Sequence, residues 1–237
     1  MRTSARKASF SVRKAHKTQL AMSKRIISKD RLSSKIRLVG GVDIAYWQDK
    51  SIGVVAVLDY ESLEPVESQV SVSETLFPYI PTLLSFREVP SAILCIRKLK
   101  SSPDVFLVDG QGFAHPYYCG FASHLGLVID KPTIGVAKSK LVGEAENPRD
   151  KEDYSVLKYH SRVVGAAVTT KCWRKPLYIS VGHMVSLEKA VEIVKHCTSS
   201  SRIPEPILKA HEIANAEKRK INNGSGTESW SSDTQSA

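Results

Sequence analysis

Apolar positions recur along this chain with different spacings, and each spacing predicts a different element. From Ala15 the interval is helical. Ala15, Met22 and Ile26 share one line, with Leu20 and Ile27 beside it, which predicts a helix over about residues 14–28. Residues 36–48 and 51–60 are rich in Val, Ile and Tyr and read as strands joined by a turn at Asp49-Lys50. Between Glu64 and Glu74, Val66, Val70 and Val72 alternate with polar neighbours, as in a strand at a sheet edge. Pro78 and Pro81 then fix an extended loop, and helical spacing returns after Pro90 at Ala92, Ile96 and Leu99.

The second half alternates between short apolar runs and helical segments. Val105–Asp109 is a strand apolar enough to be buried on both faces. Pro116–Gly126 reads as a helix and Thr133–Ala137 as another short strand. Val163–Thr170 and Leu177–Gly182 read as a strand pair. Ser186 can cap a helix over Leu187–Cys197, and a last helix starts after Pro206 and runs to about Lys220. Antiparallel strands followed by strand–helix alternation imply an α/β domain, a mixed sheet with helices on its faces. Ligands of such sheets bind at strand ends near a change in strand order.

Residues 13–221 form the expected folded domain. Residues 1–12 read as a disordered basic tail, and 222–237, NNGSGTESWSSDTQSA from Asn222, as a disordered polar one. Twelve Lys or Arg against the single acid Asp30 give residues 1–40 a charge of +11, while the remainder carries −1. The excess fits a polyanionic partner for the N-terminal arm, or equally a solvated tail. No apolar run approaches the ~18–20 residues of a membrane span, and the basic N-terminus lacks the apolar stretch of a secretory signal. Cys95, Cys119, Cys172 and Cys197 lie far apart without a CxxC pair, which suits reduced thiols in a cytoplasmic protein. No heptad run implies a coiled coil, and a monomer is expected.

The segment DVFLVDGQGFAHP, residues 104–116, holds the most pointed chemistry. Its apolar run delivers Asp109 to a strand end, and Asp43 interrupts the apolar strand RLVGGVDIAYW. If these strands are neighbours, both carboxylates can face one point and hold Mg²⁺ or Mn²⁺, which polarises a phosphoryl oxygen and activates water. A strand-end turn or a salt bridge would equally explain Asp43. Glu88, just before Pro90, can complement a helix N-terminus. His115 and His211 can carry protons or simply be hydrogen-bonded. Lys138 ends a strand and can hold a phosphate or be solvated. Gly110 and Gly112 match no phosphate loop and permit a turn or close approach of a ligand.

Together, VGGVDIAY, PYIP, FRE, VDGQGFAHP, SHLG, IGVAKS and RIPEP occur in an order that resembles the endonuclease V family, over roughly Ala15 to Ala216. The resemblance implies a ribonuclease H-like fold. It implies that Asp43, Glu88 and Asp109 bind the metal and that His211 completes its surroundings. The implied reaction is hydrolysis of the second phosphodiester 3′ of a hypoxanthine nucleotide in DNA, leaving 3′-hydroxyl and 5′-phosphate ends. Tyr79, between Pro78 and the Ile80-Pro81 pair, matches the family's wedge, which fills the gap left by the displaced nucleotide. Lys138 would sit beside the scissile phosphate and His115 near the active site. Backbone groups near Gly110 and Gly112 would read the base edge.

Two positions depart from the family pattern. Thr82 stands where many relatives carry Gly, and a branched Cβ limits close backbone approach. Tyr117 stands where relatives often carry Arg, which would leave one phosphate without its cation. Three rivals remain: the same scaffold acting on inosine-containing RNA, a non-catalytic nucleic-acid binder, and another ribonuclease H-like enzyme such as an integrase or junction resolvase. The retained acids speak against the second, and PYIP with AHP against the third.

Overall fold

The computed structural model describes residues 11–146, 154–170 and 175–225. The first helix, α1 (Val12–Ser23), starts earlier and ends sooner than its spacing predicts. Ser11 caps it by accepting from the Lys14 amide, so residues 11 and 12 belong to the fold rather than to a tail. Ile26 and Ile27 leave the helix because they have other partners. Ile26 packs against the main core, and the Ile27 carbonyl accepts from the Met184 amide at 2.7 Å.

Three antiparallel strands follow, β1 (Leu38–Trp47), β2 (Lys50–Asp59) and β3 (Pro65–Glu74). The first turn is Gln48-Asp49, one residue earlier than expected, with Gln48 in the left-handed region at φ 50°. α2 (Leu84–Ile96) begins before Pro90 rather than after it. An internal proline removes one helical hydrogen bond, yet Val89, Ala92 and Cys95 bury against the sheet on either side of it. Glu88 therefore sits inside the helix on its buried face, not at its N-terminus.

β4 (Val105–Asp109) runs parallel to β1, and β5 (Thr133–Ala137) parallel to β4. Between them α3 (Phe121–Ile129) starts five residues later than Pro116, because residues 116–120 form an irregular turn with Tyr118 at φ 53°. β6 (Tyr154–Tyr159), which the apolar pattern does not predict, forms a hairpin with β7 (Arg162–Val168). Its loop residues His160 and Ser161 both adopt positive φ, the two-residue turn usually signalled by Asn-Gly. β8 (Leu177–His183) closes the sheet order β3-β2-β1-β4-β5-β8-β7-β6. The last helices are α4 (Leu187–His196), capped by Ser186, and α5 (Glu205–Ser225). α5 includes residues 222–225 of the expected polar tail; the rest of that tail, residues 1–10 and Cys172 lie outside the described residues.

The result is a mixed sheet with α2 and α3 on one face and α4 and α5 on the other. Val42, Val55, Phe106 and Val108 pack under the first pair. Val39, Val54, Val105 and Leu107 pack under the second. Among the described residues no helix is long and apolar enough to cross a membrane.

Candidate active site

Parity along β1 and β4 decides where the two aspartates point, because successive strand residues face opposite sides. On β1, Val39 faces the core under α4 and α5. A Cβ on Gly41 would stand 2.0 Å from the Pro206 carbonyl, so only glycine lets the start of α5 rest on the strand. Asp43 continues that face. On β4, Val105 and Leu107 lie in the same core and Asp109 continues theirs. The parallel register pairs Val39 with Val105 up to Val42 with Val108, and the aspartates come one step later. They emerge side by side where α5, seated through Pro206, brings His211 over them.

One ligand atom from each of Asp43, Asp109 and His211 lies within 4.8 Å of the others. His211 Nδ1 is 2.8 Å from Asp43 Oδ2, and Asp43 Oδ1 accepts the Ile44 amide at 2.9 Å. Lys138, the residue after β5, donates from Nζ to Asp109 Oδ2 at 2.6 Å. Burial and then the charge of Asp43 raise the Asp109 carboxyl above its ordinary range, while Lys138 and His211 oppose the shift. Glu88 does not join the tight group, but it feels it. Burial first, then Asp109 and Asp43, lift its carboxyl well above the ordinary value, against the pull of Arg87. Arg87 in turn lies 4.2 Å from the ring centroid of Tyr46, a half-buried phenol whose pKa is pushed up by burial and then by Glu88.

Acids converging in a partly dry cleft disfavour one another unless positive charge joins them. Lys138 and His211 supply part of it. Two carboxylates and an imidazole also form a donor set that suits a divalent cation, with hard oxygens for Mg²⁺ or Mn²⁺. Asp43, Asp109 and His211 are the residues that fit the ion, with Glu88 as the neighbouring carboxyl.

The remaining candidates lie around this centre. Tyr79 is 69% exposed, flanked by exposed Pro78 and Pro81, while Ile80 is half-buried and leads into fully buried Leu83. His115 is buried, and burial pushes its imidazole down to about 4, so its ring is neutral. Nδ1 accepts the Tyr117 amide at 3.2 Å, and the ring also makes a backbone hydrogen bond to Thr82. The glycine amides are already committed. Gly110 donates to the Val136 carbonyl at 3.2 Å, and Gly112 to Ser180 Oγ at 2.8 Å. Gly112 is glycine because a Cβ there would meet the Val181 carbonyl at 2.3 Å. These two amides are therefore bonded within the protein.

Sequence reasoning passed over His16 and Gln19 of α1. Gln19 is completely buried, and its Nε2 donates to the carbonyls of Thr82 at 2.9 Å and Cys119 at 3.0 Å. The signal was available: Gln19 falls on the apolar line between Ala15 and Met22, where a polar residue must find buried partners.

Comparison with known proteins agrees with this fold. Residues 20–212 fit the family model described as Endonuclease V. An endonuclease V from Thermofilum pendens is 44% identical over 211 residues, 89% of this chain and 90% of that one. The crystal structure of endonuclease V from Streptomyces avermitilis superposes with a TM-score of 0.84 at 32% identity, covering 90% of this chain and 96% of that one. Endonuclease V from Ciona intestinalis, solved with a 24mer DNA containing an inosine followed by a ribo-adenosine, gives 0.78 at 30% identity, covering 89% and 98%. On these likenesses, and with the acidic centre formed between the middle of β1 and the end of β4, the chain belongs to the endonuclease V family: it is an endonuclease with a ribonuclease H-like fold.

Proposed function

We propose that this chain is an inosine-directed DNA repair endonuclease. It hydrolyses the second phosphodiester 3′ of deoxyinosine and leaves 3′-hydroxyl and 5′-phosphate ends, in the presence of Mg²⁺ or, in its place, Mn²⁺. The observation that carries the reading is the convergence of Asp43, Asp109 and His211 within 4.8 Å, beside Lys138. A divalent cation held by that set would screen the phosphodiester's charge and lower the pKa of water.

The chain's own residues supply the rest. Lys138, whose side chain is 38% exposed, offers a point charge to a phosphate oxygen beside Asp109. His211, whose Nδ1 lies 2.8 Å from Asp43 Oδ2, would complete the surroundings of the ion. Tyr79 offers a solvent-facing ring for the vacated stack, where base–aromatic stacking is worth about 1–3 kcal/mol. Extruding the base costs a few kcal/mol, least for a weakly paired one, and hypoxanthine pairs weakly. His115, buried and neutral, supports the loop behind the wedge. Buried free thiols at Cys95, Cys119 and Cys197 suit a monomer in a reducing cytoplasm.

RNA containing inosine is the second reading, favoured by the ribo-adenosine in the nucleic acid bound by the Ciona relative. Matched deoxyinosine and inosine oligonucleotides, cleaved in Mg²⁺ and read on a sequencing ladder, separate the two. Faster cutting of RNA reverses the preference. Cutting without regard to inosine, or at another linkage, ends the proposal.

A further inference from the structure

Thr82 and Tyr117 meet at one side chain, that of His16. His16 Nε2 lies 2.9 Å from Thr82 Oγ1. The same ring stacks on Tyr117, with centroids 3.9 Å apart and planes inclined by 16°. One turn further along α1, Gln19 ties the Thr82 carbonyl to the Cys119 carbonyl. Helix α1 thus bridges the wedge loop and the segment that follows Asp109, which are far apart in the chain.

Thr82 also has a backbone that its side chain disfavours. Its φ is 70°, in the left-handed region that glycine adopts freely and a β-branched residue rarely does. Such a conformation persists only where the surroundings over-determine it. Here the surroundings are contacts to both side chain and backbone, from His16, Gln19 and His115. A glycine at 82 would need no such support and would leave the loop freer.

We propose that α1 is the clamp that sets the wedge at a fixed position against the segment that follows Asp109, with His16 and Gln19 as positioning residues and Thr82 and Tyr117 as the surfaces they grip. The clamp rests on the wedge reading of Tyr79. It predicts that this chain holds its wedge ready before the nucleic acid arrives, so that less ordering is required on binding. The clamp matters most where a base must be levered out of a duplex and least on a single strand, whose bases are already unpaired.

The test compares duplex and single-stranded forms of one inosine-containing oligonucleotide in Mg²⁺, in whichever sugar the chain cuts faster. In His16→Ala, kcat/KM on duplex is expected to fall about tenfold more than on single strand, as a small misplacement of a positioned group would do. Thr82→Gly removes the grip from the other side and the backbone strain with it. It should show the same duplex-selective loss with an unchanged or raised thermal midpoint, so the loss is not one of folding. In a Tyr79→Ala background, His16→Ala should cost nothing further. Equal losses on both substrates, no loss in His16→Ala, or losses that add in the double variant would overturn the clamp. If Tyr79→Ala alone shows no duplex-selective loss, the wedge reading fails and the clamp falls with it.

Discussion

Asp43 and Asp109 sit on adjacent parallel strands whose register leaves them no choice of position, whereas Tyr79 sits on an exposed loop fastened by side chains from α1. The first region is partly buried, charged and strained by its own electrostatics. The second is open to solvent and held by a few hydrogen bonds and stacked rings. The contrast separates two requirements. Groups that hold charge must be fixed by backbone, because a small displacement changes a Coulomb energy steeply at short range. A wedge needs only to be near the right place, and its supports can vary.

The largest effect should come from the backbone-fixed side. Asp43→Ala or Asp109→Ala should abolish cleavage at ordinary Mg²⁺, a loss of about 10³-fold or more, since charge stabilisation at a transferring group contributes several kcal/mol. Circular dichroism should show an intact fold. Normal turnover in either variant would remove the acidic centre from the chemistry.

Next comes the loop side. Tyr79→Ala should lower discrimination between inosine and normal DNA by about tenfold to a hundredfold, in line with the loss of one stacked base. Its thermal midpoint should stay where it is, because the ring is solvent-facing. An unchanged preference for inosine would mean that the exposed loop plays no part in finding the lesion.

A stability measurement sharpens the contrast. The folded-state pKa of Glu88 lies well above its ordinary value. Between those two values the folded state binds more protons than the unfolded one, so stability falls as pH rises through that window. At a pH above that window, Glu88→Gln should therefore raise the midpoint of the metal-free protein by about 2–4 °C, which about 1 kcal/mol amounts to in a domain of this size. The difference between the two proteins should shrink as pH falls below the ordinary Glu range, and adding Mg²⁺ should narrow it. A Glu88→Gln protein less stable than the parent at that pH would show that the carboxyl is satisfied without an ion.

The smallest effect concerns the arm. Because Ser11 caps α1, a deletion should stop at residue 10. Removing Arg2, Arg6 and Lys7 should lessen the slope of log K against log[salt] by up to about 0.9 for each phosphate that the arm neutralises. An unaltered slope would make the arm a bystander and leave phosphate binding to the folded body.

The sequence by itself determined most of the frame, because burial and alternation are local properties. The apolar run Val105–Val108 ending in Asp109, the apolar neighbours of Asp43 and the alternation in β3 each announce a strand and a face. Ordered motifs added the family. Only tertiary structure decided the rest. Pro90 lies inside α2, so Glu88 is buried beside the aspartates instead of complementing a helix end. The Gly110 and Gly112 amides are spent on Val136 and Ser180, and nothing in a glycine's neighbours along the chain reveals that. His16 meets Thr82 and Tyr117 across 66 and 101 positions of sequence. Such facts depend on which distant surfaces pack together, and no local spacing carries that information.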